Sequence, residues 1–331
     1  MIITRTPFRI SFFGGGTDYP AWFTKNGGAV LATSINKYCY ISCRNLPPFF
    51  DHKYRIVYSK IESVRDISEL EHPAVRSVLN WSENDSGLEI HHDGDLPARS
   101  GLGSSSSFTV GLIHAIRAME GKISSKNQLA SDAIHVEQNL IGENVGSQDQ
   151  ISAAYGGLNK IEFHKNGTFT VDPIIISTHR RQLLSSHLML FFTGFTRLAS
   201  EIAEAQIENI HNKSKELEKM REMVEQAIVL LQDEQSSIDL FGEMLDQSWS
   251  YKRSLSDQVT TPEIDEIYGR AKKAGAIGGK LLGAGGGGFM LFFVPQDKQT
   301  AVRENLNELI HVPFEFEDSG SRVVLYQPNG L

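Results

Sequence analysis

Twelve residues, Leu96 to Ser107, read LPARSGLGSSSS and run straight into a helical apolar pattern. Pro97, Gly101, Leu102, Gly103, Ser104, Ser105 and Ser106 of this stretch suit a polyphosphate. Glycine lets backbone come close to a bulky anion, and the open N–H groups of a first helical turn, with the helix dipole, favour negative charge there. Serine hydroxyls donate to phosphate or coordinate magnesium, a hard ion that seeks oxygen. Read without chemistry, the same stretch is a loop with a serine N-cap. It is not the nucleotide-binding P-loop, because no Gly-Lys-Ser/Thr follows, and no dinucleotide G-x-G-x-x-G opens it.

A second glycine-rich stretch, GGKLLGAGGGG at 278–288, precedes the apolar run FMLFFV. Four consecutive glycines lose much conformational entropy on ordering, so a close backbone approach or a positive φ must require them. Gly285 and Gly286 then form either a wall of a phosphate site or a tight bend against other backbone. A third, Phe13-Gly14-Gly15-Gly16-Thr17-Asp18-Tyr19, places a carboxylate after a glycine turn. Asp18 reads equally as a group at the mouth of a pocket and as a helix N-cap. Asp149, in GSQDQ, reads from its neighbours as a helix-capping carboxylate or as a catalytic one.

The elements that must position these loops are mixed. MIITRTPFRISFF alternates as a strand and a short helix follows the glycine turn; residues 28–44, 54–58 and 88–92 read as strands. Helical periodicity begins after the serine run, and a second helix covers about 126–141. Residues 157–163 return to strand. Composition shifts near 180: SSHLMLFFTG is a buried strand, a charge-laced helical region covers about 197–234, and helices follow at about 238–256 and 262–274. After the glycines come a strand at 289–294, a helix near 296–309 and a strand near 322–327. Strands and helices without strict βαβ alternation predict an α+β chain in two domains, residues 1–180 and 181–331.

Composition closes off other classes. The formal net charge is −8, which gives neither nucleic acid nor an anionic membrane a basic field to meet, while phosphate ligands can still be held locally. No apolar run reaches the roughly 20 residues of a spanning helix, and no signal-peptide pattern opens the chain, so a cytoplasmic location is expected. Cys39 and Cys43 alternate onto one strand face with Ile41 and read as buried thiols. His91, His92, His114 and His135 form no metal-ligand grouping.

The three loops, in this order, resemble the GHMP kinase superfamily. Pro97 to Ser105 matches its P-x-x-x-G-L-G-S-S signature, TPFRISFFGGGTDYP resembles its N-terminal motif, and Lys280 to Gly288 its C-terminal one. GSQDQISAAYGG and FFTGFTR narrow the likeness to a bacterial branch acting on heptose 7-phosphate. The resemblance implies a two-domain GHMP kinase fold, with a ribosomal protein S5 domain 2-like N-terminal domain and a ferredoxin-like C-terminal domain. It also implies ATP and Mg2+, a sugar or sugar-phosphate acceptor, and a monomer or homodimer.

Roles carry over by position. Asp149 matches a catalytic aspartate that deprotonates or orients the attacking hydroxyl, and Arg9 the basic residue that stabilises charge beside it. Glu137, twelve positions before Asp149, matches a magnesium ligand acting with Ser105 or a neighbouring serine; otherwise it is a solvated carboxylate. Gly15, Gly16, Thr17 and Asp18 match a sugar-binding loop. The galactokinase Gly-Glu-His-Thr-Asp is Gly14-Gly15-Gly16-Thr17-Asp18 here, so two side chains that touch galactose are absent. A sugar phosphate also needs a cation at the far end of its pocket. Arg197 is the first choice, ahead of Lys37, Arg44, Lys252 and Arg253, which read as surface charges. The function these residues imply is phosphorylation of the anomeric hydroxyl of a heptose 7-phosphate, giving the 1,7-bisphosphate for nucleotide-activated heptose and surface polysaccharide. The alternatives are a GHMP kinase for another sugar such as fucose, and a silent sugar or nucleotide sensor of the same fold.

Overall fold

The computed structural model describes residues 1–82, 86–98, 100–194, 199–210 and 212–328. The first half is built on two long strands, β1 (Ile2–Phe13) and β2 (Gly28–Asn45), joined through the first glycine turn and the short helix α1 (Pro20–Asn26). A hairpin of β3 (Tyr54–Val57) and β4 (Ile61–Val64), helix α2 (Pro73–Trp81) and β5 (Leu88–Gly94) follow. Three helices come next, α3 (Ser104–Met119), α4 (Lys126–His135) and α5 (Gln148–Tyr155). Strands β6 (Leu158–Phe163) and β7 (Phe169–Pro173) and helix α6 (Thr178–Ser186) complete this half.

The second half runs β8 (Leu188–Phe192), α7 (Ala199–Asn209), α8 (Ser214–Gln232), α9 (Asp239–Arg253), α10 (Pro262–Lys273), β9 (Gly278–Leu281) and β10 (Phe289–Phe293). It closes with α11 (Gln299–Asn305), β11 (Ile310–His311), β12 (Phe316–Glu317) and β13 (Arg322–Tyr326).

Among the described residues the strands form two sheets, and the larger has the order β13-β1-β2-β5-β3-β4. One edge of β2 pairs with β1. The other carries β6 against Gly28–Thr33, β12 against Ser34 and Ile35, and β5 against Cys39–Asn45. The smaller sheet, β11-β8-β10-β9, is antiparallel throughout. Helix α3 lies close on the large sheet because it carries Gly111, where a Cβ would come within 2.9 Å of Thr6 Oγ1. Thr4 Oγ1 donates to the Gly111 carbonyl at 2.9 Å. Between the two sheets, Phe12 and Phe13 of β1 meet the edge of Phe241 on α9, with ring centroids 5.4 and 5.1 Å apart. Such contacts contribute about 1 kcal/mol each beyond area burial.

The mixture of helices and sheets is as expected, and Cys39 and Cys43 are both buried and free. Several local readings change. The division at 180 is not a clean cut, because β12 and β13 return to the large sheet; pairing between chain ends leaves no local trace. The serine run is itself the first turn of α3. The helix read over 126–141 is α-helical only to His135; residues Val136–Ile141 form a π-helical turn. Gly278–Leu281, read as loop, is the strand β9, so the glycine loop proper is shorter. The region 197–234 divides into α7 and α8. No helix of the described residues is long and apolar enough to cross a membrane.

Candidate active site

The two glycine loops are pressed together by their own backbones. A Cβ on Gly101 would sit 2.5 Å from the Leu282 carbonyl oxygen, one on Gly283 would sit 2.5 Å from Gly101 Cα, and one on Gly288 would sit 2.2 Å from the Ser100 oxygen. Gly101 and Gly283 also hold φ of 85° and 74°, which side chains disfavour. The glycines thus permit a crossing of two main chains, and that crossing forms one wall of a cavity of about 240 Å³.

Helix α3 points its N-terminus into this cavity. Its N-cap is Gly103 in the left-handed region, with no side-chain cap, so the first-turn N–H groups remain for an anion. Gly101, Gly103, Ser104, Ser105 and Ser106 line the cavity. Pro97, Leu102, Gly285 and Gly286 do not: Pro97 is exposed with its carbonyl on the Ser100 hydroxyl, and Leu102 is buried and accepts from Arg9 N. Gly285 and Gly286 pack on Val259, and Gly286 N donates to its carbonyl. These four shape the loops rather than face the space.

The floor is an ion pair. Arg9 Nε and one terminal nitrogen donate to the two oxygens of Asp149, each at 2.8 Å, and the other terminal nitrogen donates to the Gly101 carbonyl at 2.7 Å. Arg9 is 3% exposed, while a quarter of the Asp149 side chain is open to the cavity. Asp149 is the second residue of α5, not its cap, so the capping reading gives way to a carboxylate held in position by a guanidinium.

Asp18 is not a helix cap either, since that place is taken by Tyr19. Its carboxylate is 2% exposed and accepts from Gly16 N at 2.9 Å and Gln148 N at 3.4 Å. A Cβ on Gly146 would lie 1.9 Å from Asp18 Oδ2, so glycine there allows the approach. Burial, then the charge of Asp149, raises the Asp18 pKa. Gly15, Gly16 and Asp18 line the cavity. Thr17 does not: fully buried, its hydroxyl donates to Gly14 and Ala29 carbonyls and accepts from Ala29 N, which fixes the turn. Thr17 therefore shapes the glycine turn and does not face the cavity.

Glu137 stands at the start of the π-helical turn and is 1% exposed, not solvated. Ser106 Oγ donates to its Oε2 at 2.9 Å, and Gln150 Nε2 donates to the same oxygen. The serine beside it is Ser106 and not Ser105, because one residue along a helix turns about 100° and leaves Ser105 exposed. Burial, only partly offset by the nearby Thr109 and Ser106 hydroxyls and the Gln150 amide, pushes Glu137 up to about 7. Its Oε1 is buried without a hydrogen-bond partner. An orphaned carboxylate oxygen behind a cavity-lining serine fits a hard divalent cation, which would take much of its remaining coordination from phosphate and water. Among the described residues no group of three His, Cys, Asp or Glu stands together as a metal cluster.

Two lysines complete the cavity; Lys252 stands behind Arg197 among the candidate phosphate cations, and Lys280 has no individual role in the sequence reading. Lys252, read as a surface charge, is 7% exposed and donates to the Leu281 carbonyl at 2.9 Å and to that of Gly283. Lys280, 2% exposed, donates to the Phe12 carbonyl at 2.8 Å. Burial, followed by Arg9, pushes Lys280 down to about 7, and burial, followed by Lys280 and Arg9, lowers Lys252 well below its usual range. A signal was present: Lys252 falls on the same face of α9 as buried Phe241, Leu245 and Trp249. Ser11, Tyr19 and Gln148, which lie inside the quoted motifs without a role assigned to them, also line the space, as does Gln206, which lies in none. Arg197 lies outside the described residues, and Arg44 and Arg253 are engaged with Glu89 and Asp265.

Comparisons with known proteins identify the family. The GHMP kinases N terminal domain matches residues 69–157 and the GHMP kinases C terminal domain residues 223–311. The chain is 31% identical over 308 residues to a D-glycero-alpha-D-manno-heptose 7-phosphate kinase of Campylobacter jejuni, covering 90% of this chain and 91% of that protein. It is 27% identical to an L-fucokinase/L-fucose-1-P guanylyltransferase of Bacteroides fragilis, over 90% of this chain but 35% of that longer protein. The crystal structure of a D-glycero-D-manno-heptose 1-phosphate kinase from Bacteroides thetaiotaomicron superposes with a TM-score of 0.78 at 23% identity, covering 99% of this chain and all of that one.

Proposed function

The chain belongs to the GHMP kinase family and is a sugar kinase, and from that premise we propose that it transfers the γ-phosphoryl group of ATP to the anomeric hydroxyl of a heptose 7-phosphate. The observation that carries this reading is the bidentate Arg9–Asp149 pair on the floor of the cavity into which α3 opens. An anion seated on the α3 first turn and a hydroxyl on Asp149 face each other there.

The chemistry follows from the parts. Phosphoryl transfer needs alignment and charge neutralisation more than covalent help. The triphosphate lies on the α3 N–H groups and the serine hydroxyls. Ser106 and Glu137 would hold magnesium, which would supply charge neutralisation for the phosphates. Asp149 accepts the hydroxyl proton as that oxygen bonds to phosphorus and ADP leaves. Arg9 fixes the carboxylate and offsets negative charge building on the transferring group. Gly15, Gly16 and Asp18 receive the sugar, Asp18 accepting from adjacent hydroxyls.

The heptose assignment is supported by the names of two relatives, which agree on a phosphorylated heptose and differ on where its phosphate sits. A free sugar such as fucose is the second reading, favoured by the likeness to the fucokinase protein. ADP release with heptose 7-phosphate, heptose 1-phosphate, free heptose and fucose decides between them. Preference for the 7-phosphate supports the proposal, and turnover of free fucose alone overturns it.

A further inference from the structure

The cavity holds two amines beyond the Arg9 guanidinium that phosphoryl transfer uses, and a bound dianion would favour their charged form. Lys252 and Lys280 both bring ammonium groups into it, both nearly buried, and neither forms an ion pair among the described residues. An ammonium has three N–H donors. Lys252 spends two on carbonyls and Lys280 spends one, on Phe12. The pair therefore keeps three donors for the cavity, which matches the three terminal oxygens of a phosphate monoester. Two like charges in a desolvated space repel, and a dianion between them reverses the sign of that interaction.

Lys280 stands on the acceptor side, and Lys252 reaches toward it from the crossing of the glycine loops. Lys280 is tied to the carbonyl of Phe12, at the entry to the loop that carries Gly15, Gly16 and Asp18. Beside it, Ser11 is 6% exposed, lines the cavity, and has a buried hydroxyl without a hydrogen-bond partner. Ser11 Oγ and Gln148 Nε2 both lie beside Gly15, each 3.8 Å from where its Cβ would be. The α3 N-terminus already supplies an anion seat on the other wall. Resting on the kinase reading above, we propose that Lys252 and Lys280, with Ser11, grip the phosphate that the sugar acceptor already carries, and so select a sugar phosphate over the free sugar.

The test uses the full-length enzyme with D-glycero-D-manno-heptose 7-phosphate and with the unphosphorylated heptose, measuring kcat/KM for each and KM for ATP. Lys280→Gln and Lys252→Gln are expected to lower the preference for the phosphorylated acceptor by about 10- to 100-fold, the loss expected for one charge-assisted hydrogen bond. Ser11→Ala removes only an unpartnered hydroxyl, so it tests the grip even if a lysine variant fails to fold; it is expected to lower the preference about fivefold or more. Equal losses on both acceptors, or a KM for ATP that rises in step, would assign the lysines to the nucleotide or the fold and overturn the proposal. Wild-type turnover of the free heptose alone would overturn it together with the heptose 7-phosphate assignment, while leaving kinase activity itself intact. Absence of turnover with every acceptor would remove both.

Discussion

Replacing Asp149 by Asn isolates the chemistry from the architecture. The substitution keeps the shape and one acceptor oxygen for Arg9, whose other terminal nitrogen stays on the Gly101 carbonyl. Losing a fully buried ion-pair partner costs about 3–5 kcal/mol, but the Asp149 side chain is one-quarter exposed and an amide still accepts, so about 1–2 kcal/mol is expected here. The kinetic loss should be larger, because an amide cannot take the hydroxyl proton. Removal of a general base costs at least about 100-fold, equivalent to about 2.7 kcal/mol of transition-state stabilisation. Nucleotide binding should change little, because the α3 N-terminus is untouched. The assay is ADP release at saturating acceptor, with ATP affinity by calorimetry and unfolding by denaturant on the same preparation. Turnover within tenfold of wild type would refute the role given to Asp149. A variant that loses ATP binding as well would show that the pair builds the nucleotide site rather than serving the acceptor.

Three further outcomes are expected. Gly101→Ala puts a methyl carbon 2.5 Å from a backbone oxygen at a φ of 85°, so it should destabilise the fold by about 2 kcal/mol or more and raise KM for ATP, read by denaturant midpoint and kinetics. Glu137→Gln should shift the magnesium dependence of turnover to higher concentration at least tenfold; an unchanged magnesium curve would remove the metal assignment. Burial would raise the pKa of Glu89, but hydrogen bonds from His91, Arg44 and Arg55 bring it down to about 2. A carboxylate lowered on folding stabilises the native state above its unfolded pKa near 4.5, and that contribution is lost as pH falls through about 2. Glu89→Gln should therefore cost about 2–3 kcal/mol at pH 7 and much less near pH 2, measured by urea unfolding at both.

What could be read from the sequence was local. The glycine loops, the helix after the serines and the alternation around Cys39, Ile41 and Cys43 each have a short-range cause, so they appear in composition and spacing. Arg9 and Asp149 are 140 positions apart, and their meeting was expected through resemblance; the direct contact is a property of the fold. Ser106 replaced Ser105 beside Glu137 because the helix starts inside the serine run. The π-helical turn at Val136–Ile141 follows from no residue pattern, yet its first turn carries the buried Glu137. Lys280 was hidden by the glycines around it, although a lysine in a strand with both neighbours buried needs a partner. The return of β12 and β13 to the large sheet was invisible for the reason that all distant pairing is.

The most direct test of the account is phosphorus NMR of the product formed from ATP and D-glycero-D-manno-heptose 7-phosphate. The account predicts one new sugar phosphate signal, coupled to the anomeric proton, beside the retained signal of the 7-phosphate. A new phosphate at any other position, or no new sugar phosphate while free sugars are turned over, would contradict it.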